Sequence, residues 1–325
     1  MALKISGPFN IQMLAKGNQV KVIECNLRAS RTFPFVSKTF GCNFISLATQ
    51  IMLGQTSCKP FEINLYDYDY VAVKAPMFSF TRLRGADPTL GVEMASTGEV
   101  ACFGKDVHDA FLQALLASTF RLPQVMPKGN KYILVSIAED CNRAELLESL
   151  QQLTALGYFL AGTPGTADYY RSKGIEMVSL TKPVGGEAVA TVTTTTTTTM
   201  KDEKGEIAAA TAAAGGGGGG GGSRGEGEGE VEAASHSSSR DEQSVLAWIR
   251  SRKIDLVINI PEGTYKRDEI TAGYLMRREA VDFGCALLTN VKCCALFCEA
   301  LSKRKPLSCF SSEEYIGRAH VGYQG

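Results

Sequence analysis

The sequence predicts an α/β protein in two unlike parts, and three observations predict it. From residue 131 onward, short apolar runs rich in β-branched residues alternate with amphipathic stretches at helical spacing, the pattern of parallel strands joined by crossover helices. Near the N-terminus, residues 9–15 and 19–25 are strand-like runs separated by Lys16-Gly17-Asn18, a short Gly-containing loop of the kind that closes an antiparallel hairpin. Between about 187 and 240 the composition turns foreign: 193–199 is unbroken Thr, 215–222 unbroken Gly, and 225–230 alternates Gly and Glu. Such a segment buries too little apolar surface to offset its chain entropy, so it is expected to be a disordered insert. The expected organisation is an N-terminal unit over 1–122 and a linker over 123–130. A small doubly wound parallel-sheet domain follows over 131–310, interrupted by the insert, and 311–325 is a tail.

The hairpin leads the N-terminal unit. If Ala15 pairs with Gln19, then Gln12 lies opposite Val22 and Asn10 opposite Glu24. Side chains alternate between faces with period two, so Gln12, Glu24 and Asn26 share one face. One carboxylate and two amides form a set of hard oxygen donors suited to Mg²⁺ or Mn²⁺, but the polar face of any half-exposed strand can look the same. Arg28 and Arg31 follow directly, placed to neutralise phosphate oxygens. Residues 35–54 carry apolar positions at helical spacing on either side of Gly41, which reads as a turn between two helices. Extended pieces are expected at 71–80 and 91–94 around the Gly85-Ala86-Asp87-Pro88 turn, and a helix over 106–119.

In the C-terminal domain the expected strands are 131–138, 158–161, 175–180, 255–260 and 285–288. The helices between and after them are 143–156, 165–173, 243–251, 271–282 and 291–302. A ligand of such a domain sits where strand ends meet helix N-termini. Gly162-Thr163-Pro164-Gly165-Thr166, Lys182 and Asn259 fall there. Two hydroxyls and free amides at a helix start, with a lysine beyond the next strand, suit a phosphate; Thr163 or Thr166 acting as a plain helix cap is the other reading.

Composition bounds the partners. Lys plus Arg and Asp plus Glu are equal at 34 each, so no global field favours nucleic acid or an anionic membrane, and anion binding has to be local. The cysteines show no C-x-x-C spacing and sit mostly in apolar runs, as suits reduced thiols of a cytoplasmic protein. Cys294 and Cys298 share a helical face with apolar neighbours and read as packing groups. His108, His236 and His320 are too far apart to suggest a histidine site. No apolar run approaches membrane-spanning length, and no leader pattern opens the chain.

Two resemblances sharpen these readings. G-P-F-N-I-Q followed by E-C-N-L-R-A-S-R-T-F-P-F-V-S-K, and then S-F-T-R-L-R-G-A-D-P-T-L-G-V-E-M-A-S-T-G-E-V-A-C-F-G, is similar to the closing part of the second ATP-grasp domain of the carbamoyl-phosphate synthetase large chain. A-G-T-P-G-T-A-D-Y-Y, D-L-V-I-N-I-P and G-Y-L-M-R-R-E-A-V-D-F-G-C-A-L-L-T-N resemble the methylglyoxal-synthase-like allosteric domain that ends it. The resemblance implies an ATP-dependent ligase of the glutamine-dependent, pyrimidine-pathway type, acting on bicarbonate and carbamate. It implies Gln12, Glu24 and Asn26 as Mg²⁺ or Mn²⁺ ligands and Arg28 and Arg31 as contacts to phosphate or carbamate. Thr163, Thr166, Lys182 and Asn259 would touch an effector's phosphate or base.

No Gly-rich phosphate loop or adenine pocket precedes the hairpin. The isolated chain is therefore expected to be inactive without upstream ATP-grasp and glutamine amidotransferase parts, or else to be a non-catalytic nucleotide-binding regulatory fragment. A methylglyoxal synthase activity is not expected, because the strand at 255–260 runs into Pro261-Glu262-Gly263 with no histidine. Lys182 favours a phosphorylated effector, a uridine nucleotide or phosphoribosyl pyrophosphate. Glu262, Gly263 and Gly273 stand where the urea-cycle type of the family carries asparagines, so N-acetylglutamate is not expected to bind.

Overall fold

The computed structural model describes residues 4–55, 62, 64, 68–91, 94–127, 131–183, 243–261, 271–304 and 310–321. The expected insert over 187–240, along with Glu262 and Gly263, lies outside the described residues.

Strands β1 (Asn10–Lys16) and β2 (Gln19–Asn26) form the expected antiparallel hairpin, but its register differs from the expected one. Gly17 adopts a left-handed φ of 58°, so two residues close the turn and Lys16, not Ala15, pairs with Gln19. A bulge beside Gln12 and Met13 shifts the pairing by one residue more. Gln12 therefore faces Glu24, and Asn10 faces Asn26. Two one-residue shifts add to two, so the polar side chains keep their common face. The hairpin's apolar side chains stay out in solvent: Met13, Leu14, Val20, Val22 and Ile23 are each more than half exposed.

Helices α1 (Thr32–Phe40) and α2 (Phe44–Met52) are separated at Gly41, whose left-handed conformation ends α1 while its amide donates to Ser37 O. Strand β3 (Val71–Met77) pairs antiparallel with β4 (Gly98–Gly104), a strand not foreseen in the sequence. Its Gly, Glu and Ala residues have weak strand propensity, and pairing with β3 holds it instead. Gly104 ends the strand where a Cβ would lie 2.3 Å from Ala110 N, so only glycine lets helix α3 (Val107–Ala117) pack so closely.

The C-terminal domain runs β5 (Tyr132–Ile137), α4 (Asp140–Glu145), α5 (Leu147–Ala155), β6 (Leu160–Gly162), α6 (Pro164–Ser172) and β7 (Met177–Ser179). After the undescribed stretch come α7 (Val245–Arg250), β8 (Ile254–Ile260), α8 (Ala272–Asp282), β9 (Ala286–Leu288) and α9 (Val291–Ser302). All five strands are parallel in the order β7-β6-β5-β8-β9, so the winding direction reverses between β5 and β8. The single helix expected over 143–156 is two, parted at Leu146. One face of the sheet is covered through Leu150, Leu153, Tyr170, Phe297 and Leu301, the other through Val245, Ile249, Met276 and Ala280.

Cys294 and Cys298 are fully buried in the first of these layers, and the Cys294 thiol is pushed up by its hydrogen bond to Cys298 and by burial. The N-terminal unit packs on the same layer, with Leu112 in the core and Phe120 edge-on to Phe297 at 5.5 Å between ring centroids. Within the expected tail lies a helix, α10 (Ser312–Val321), whose Tyr315 is buried against Tyr70 and Phe103 of the N-terminal unit.

Phe297→Ala removes a fully buried ring from the contact between the two parts. A loss of about 3–5 kcal/mol in denaturant unfolding is expected; a loss under 1 kcal/mol would show that this layer is not close-packed.

Candidate effector site at the carboxyl ends of the sheet

Thr163 directly follows β6 and occupies the N-cap position of α6, yet its side chain makes no cap hydrogen bond. Its Oγ1 lies 3.2 Å from Thr166 Oγ1 and 3.4 Å from Ser136 Oγ of β5. Thr166 Oγ1 in turn accepts from Ile137 N at 3.2 Å. Thr163 and Thr166 are buried, so both expected site hydroxyls are tied to the end of β5 and do not cap the helix. That leaves the first turn of α6 without a side-chain cap beside a cluster of hydroxyls, with Pro164 starting the helix.

Across the point where the sheet reverses, Asn259 of β8 is the register partner of Ser136. Asn259 is buried, and its Oδ1 accepts from Arg277 Nη1 at 2.7 Å. Gly273 lies close by: a Cβ there would meet Arg277 Nη1 at 2.9 Å and Asn259 Oδ1 at 3.6 Å. Lys182 is exposed just beyond β7, the neighbour of β6 in the sheet. Thr163 and Thr166 thus meet Ser136 through their hydroxyls, Asn259 lies beside Ser136 in the sheet register, and Lys182 is exposed beyond the end of the outermost strand.

At the hairpin, Asn26 Nδ2 donates to Glu24 Oε1 at 2.8 Å, and Gln12 is the cross-strand partner of Glu24. Cross-strand partners have Cβ atoms about 4.5–5.5 Å apart, so the carboxylate and the two amides share one small patch. Among the described residues no three His, Cys, Asp or Glu side chains gather where they could hold a metal ion. A cation at the hairpin would therefore rest on one carboxylate and two amide oxygens, all hard donors that fit Mg²⁺ or Mn²⁺. Arg28 donates to Ala29 O at 3.2 Å, and Arg31, at the N-cap of α1, donates to Ser96 O at 3.5 Å; both are exposed. Among the described residues no helix is long and apolar enough to cross a membrane.

Residues 145–289, which contain Thr163, Thr166, Lys182, Asn259 and Arg277 but not Ser136, match the family model of the MGS-like domain. This part of the chain is an MGS-like domain. Similarity extends well past it. The chain is 40% identical over 305 residues to the multifunctional protein URA2 of Saccharomyces cerevisiae, a match covering 93% of the chain and 11% of that relative. It is 38% identical over 307 residues to the multifunctional protein pyr1-3 of Dictyostelium discoideum, covering 94% of the chain and 11% of that relative. It is 39% identical over 318 residues to the mitochondrial carbamoyl-phosphate synthase [ammonia] of Rattus norvegicus, covering 97% and 17%. The chain corresponds to the C-terminal, MGS-like region of carbamoyl-phosphate synthases, and spans between 11% and 17% of the length of these relatives.

Two residues of the MGS-like domain's seam, Ser136 and Arg277, were not singled out by sequence reasoning. Ser136 looks like any polar residue in a strand. Arg277 left a faint signal: with Arg278 it sits among Leu275, Met276 and Ala280 in the same stretch of helix, and both arginines are only 1% exposed. A buried guanidinium has to be fully partnered, so an arginine pair in such a stretch marks acceptors elsewhere in the fold.

Asn259→Ala leaves one buried Arg277 N–H without its acceptor. A destabilisation of about 1–3 kcal/mol in thermal or denaturant unfolding is expected; an unchanged midpoint would mean that the bond carries no weight.

Proposed function

We propose that this chain is the C-terminal part of a glutamine-dependent carbamoyl-phosphate synthase serving pyrimidine synthesis, and that its MGS-like domain binds a phosphorylated effector, a uridine nucleotide. The observation that carries the effector reading is the side-chain-uncapped start of α6 beside the Thr163 and Thr166 hydroxyls. Amides at a helix start attract anions through the helix dipole, the hydroxyls lie at the same place, and Lys182 adds a positive charge. A diphosphorylated sugar shares this phosphate chemistry. N-acetylglutamate offers two carboxylates and an amide but no phosphate, and Gly273 gives it no side-chain amide.

In this reading ATP phosphorylates bicarbonate, ammonia derived from glutamine attacks the product, and a second ATP phosphorylates carbamate. Gln12, Glu24 and Asn26 would hold Mg²⁺ or Mn²⁺, which when bound supplies neutralisation of phosphate charge. Arg28 and Arg31 would offset charge on the transferring phosphoryl group, a matter of positioning and electrostatics. The exposed apolar faces of the hairpin support a need for further ATP-grasp and amidotransferase parts, which would supply the nucleoside pocket and the ammonia. A second reading, a regulatory nucleotide-binding fragment without catalysis, is favoured for the isolated chain by the same exposure.

Titration calorimetry of the chain at low salt tests the effector. Uridine nucleotide is expected to bind and N-acetylglutamate not to, with Lys182→Ala weakening binding by about 1–3 kcal/mol. Preference for N-acetylglutamate, or an unchanged affinity in the lysine variant, overturns the assignment. For catalysis, the isolated chain is expected to make no carbamoyl phosphate from ATP, bicarbonate and ammonia. If the remaining parts of the synthase are supplied and activity appears, Glu24→Ala should lower it roughly a hundredfold or more. Full activity in that variant removes Glu24 from the site.

A further inference from the structure

Arg277 joins the seam of the MGS-like domain to the N-terminal unit. Its Nη1 donates to Asn259 Oδ1 at 2.7 Å, while Nε and Nη2 donate to the two carboxylate oxygens of Asp87 at 2.9 and 2.7 Å. Asp87 lies in the connection between β3 and β4, and its Oδ1 also accepts from Thr89 N and Thr89 Oγ1 at 2.9 and 2.8 Å. The same connection reaches Ser96, whose carbonyl accepts from Arg31. One guanidinium thus touches a candidate effector residue on one edge and, on the other, the loop that borders a candidate phosphate-contacting arginine.

The chemistry of the group makes the two edges dependent on each other. A guanidinium is planar and rigid, so its N–H groups cannot be aimed independently. If a ligand takes over Asn259, or rotates its amide so that Oδ1 leaves Nη1, the plane re-aligns and the two-bond fork on Asp87 tilts with it. Arg277 is only 1% exposed, so water cannot replace a lost partner without the site opening. Its neighbour Arg278 holds the same loop differently, through the carbonyls of Phe80, Leu83 and Ala86 at 3.1 Å each, with no bond to Asn259.

We propose that Arg277 is the positioning residue through which occupancy of the sheet-end site is passed to the N-terminal unit, with Asp87 as the receiving group and Arg278 as the fixed anchor of the loop. The sensing role rests on the effector reading given above; the connection itself does not.

The first measurement needs no ligand. Asn259 and Asp87 share Arg277, so the unfolding equilibria of Asn259→Ala, Asp87→Asn and the double variant of the full chain form a closed cycle. Non-additivity of about fivefold or more in the unfolding constant is expected; additivity within twofold overturns the connection. The second measurement is hydrogen exchange of residues 80–89 with and without uridine monophosphate. Exchange there is expected to change severalfold on binding in the unmodified chain and not in Asp87→Asn. By reciprocity, Asp87→Asn should also shift the nucleotide Kd by about fivefold or more. Tyr274→Phe, which removes a bond from the same helix to Gly85 O, should leave Kd within twofold. Nucleotide binding with no exchange response at 80–89 and an unshifted Kd in Asp87→Asn overturns the sensing role. Non-additivity in the cycle with no nucleotide binding at all keeps the connection and overturns the choice of effector.

Discussion

Two adjacent guanidinium groups in the middle of α8 are withdrawn from water, and their demand for acceptors fixes how the two parts of the chain meet. Removing a charge from water costs several kcal/mol unless it is paired and hydrogen-bonded. Arg278 is satisfied by Asp282 on its own helix and by three carbonyls of the β3–β4 connection. Arg277 is satisfied by Asp87 and Asn259. A strand could not supply those carbonyls, since its ladder occupies them; a chain of turns can. Phe80 O and Leu83 O each accept one amide of a turn and still have a lone pair for Arg278. On the opposite face of the sheet the two parts meet through apolar contact around Phe120 and Phe297, which tolerates sliding. The arginines are directional and set the register of the joint.

Much of this was legible in the sequence, and the rest was not for identifiable reasons. Strand β8 and helix α9 stand out because a continuous apolar run and a 3.6-residue period leave little ambiguity over their lengths. Strand β4 does not, because it starts and ends in glycine and owes its conformation to β3 and α3. The hairpin register differs from the expected one because Gly17-Asn18 alone closes the turn, one residue shorter than the three-residue loop expected, and because a bulge adds another shift; the Gly-Asn pair is visible in the sequence, the bulge is not. Of the sheet-end seam, Thr163, Thr166 and Asn259 could be placed from strand–helix boundaries alone. Arg277 could not, because its deciding partner lies 190 residues away. The two threonines also turn out to be bonded to β5, a tertiary fact that no local pattern of helix capping anticipates.

The two candidate sites differ in how complete they are within this chain. At the sheet end, buried side chains are partnered by one another, and the architecture places them at the reversal point of a doubly wound sheet, where such folds bind ligands. At the hairpin, the oxygen donors are assembled but the strands around them leave apolar side chains in solvent. A surface of that kind is half of a contact. The Asn259–Arg277–Asp87 chain lies between the two sites, and its integrity decides whether they act as one unit.

The quantity that bears most directly on this arrangement is the solvent exchange of the Arg277 Nε proton, followed by nitrogen-15 NMR in the full chain. Held in the two-bond pair with Asp87 and shielded from water, that proton is expected to exchange slowly and to become fast in Asp87→Asn. Exchange in the unmodified chain as rapid as that of an exposed arginine would contradict it.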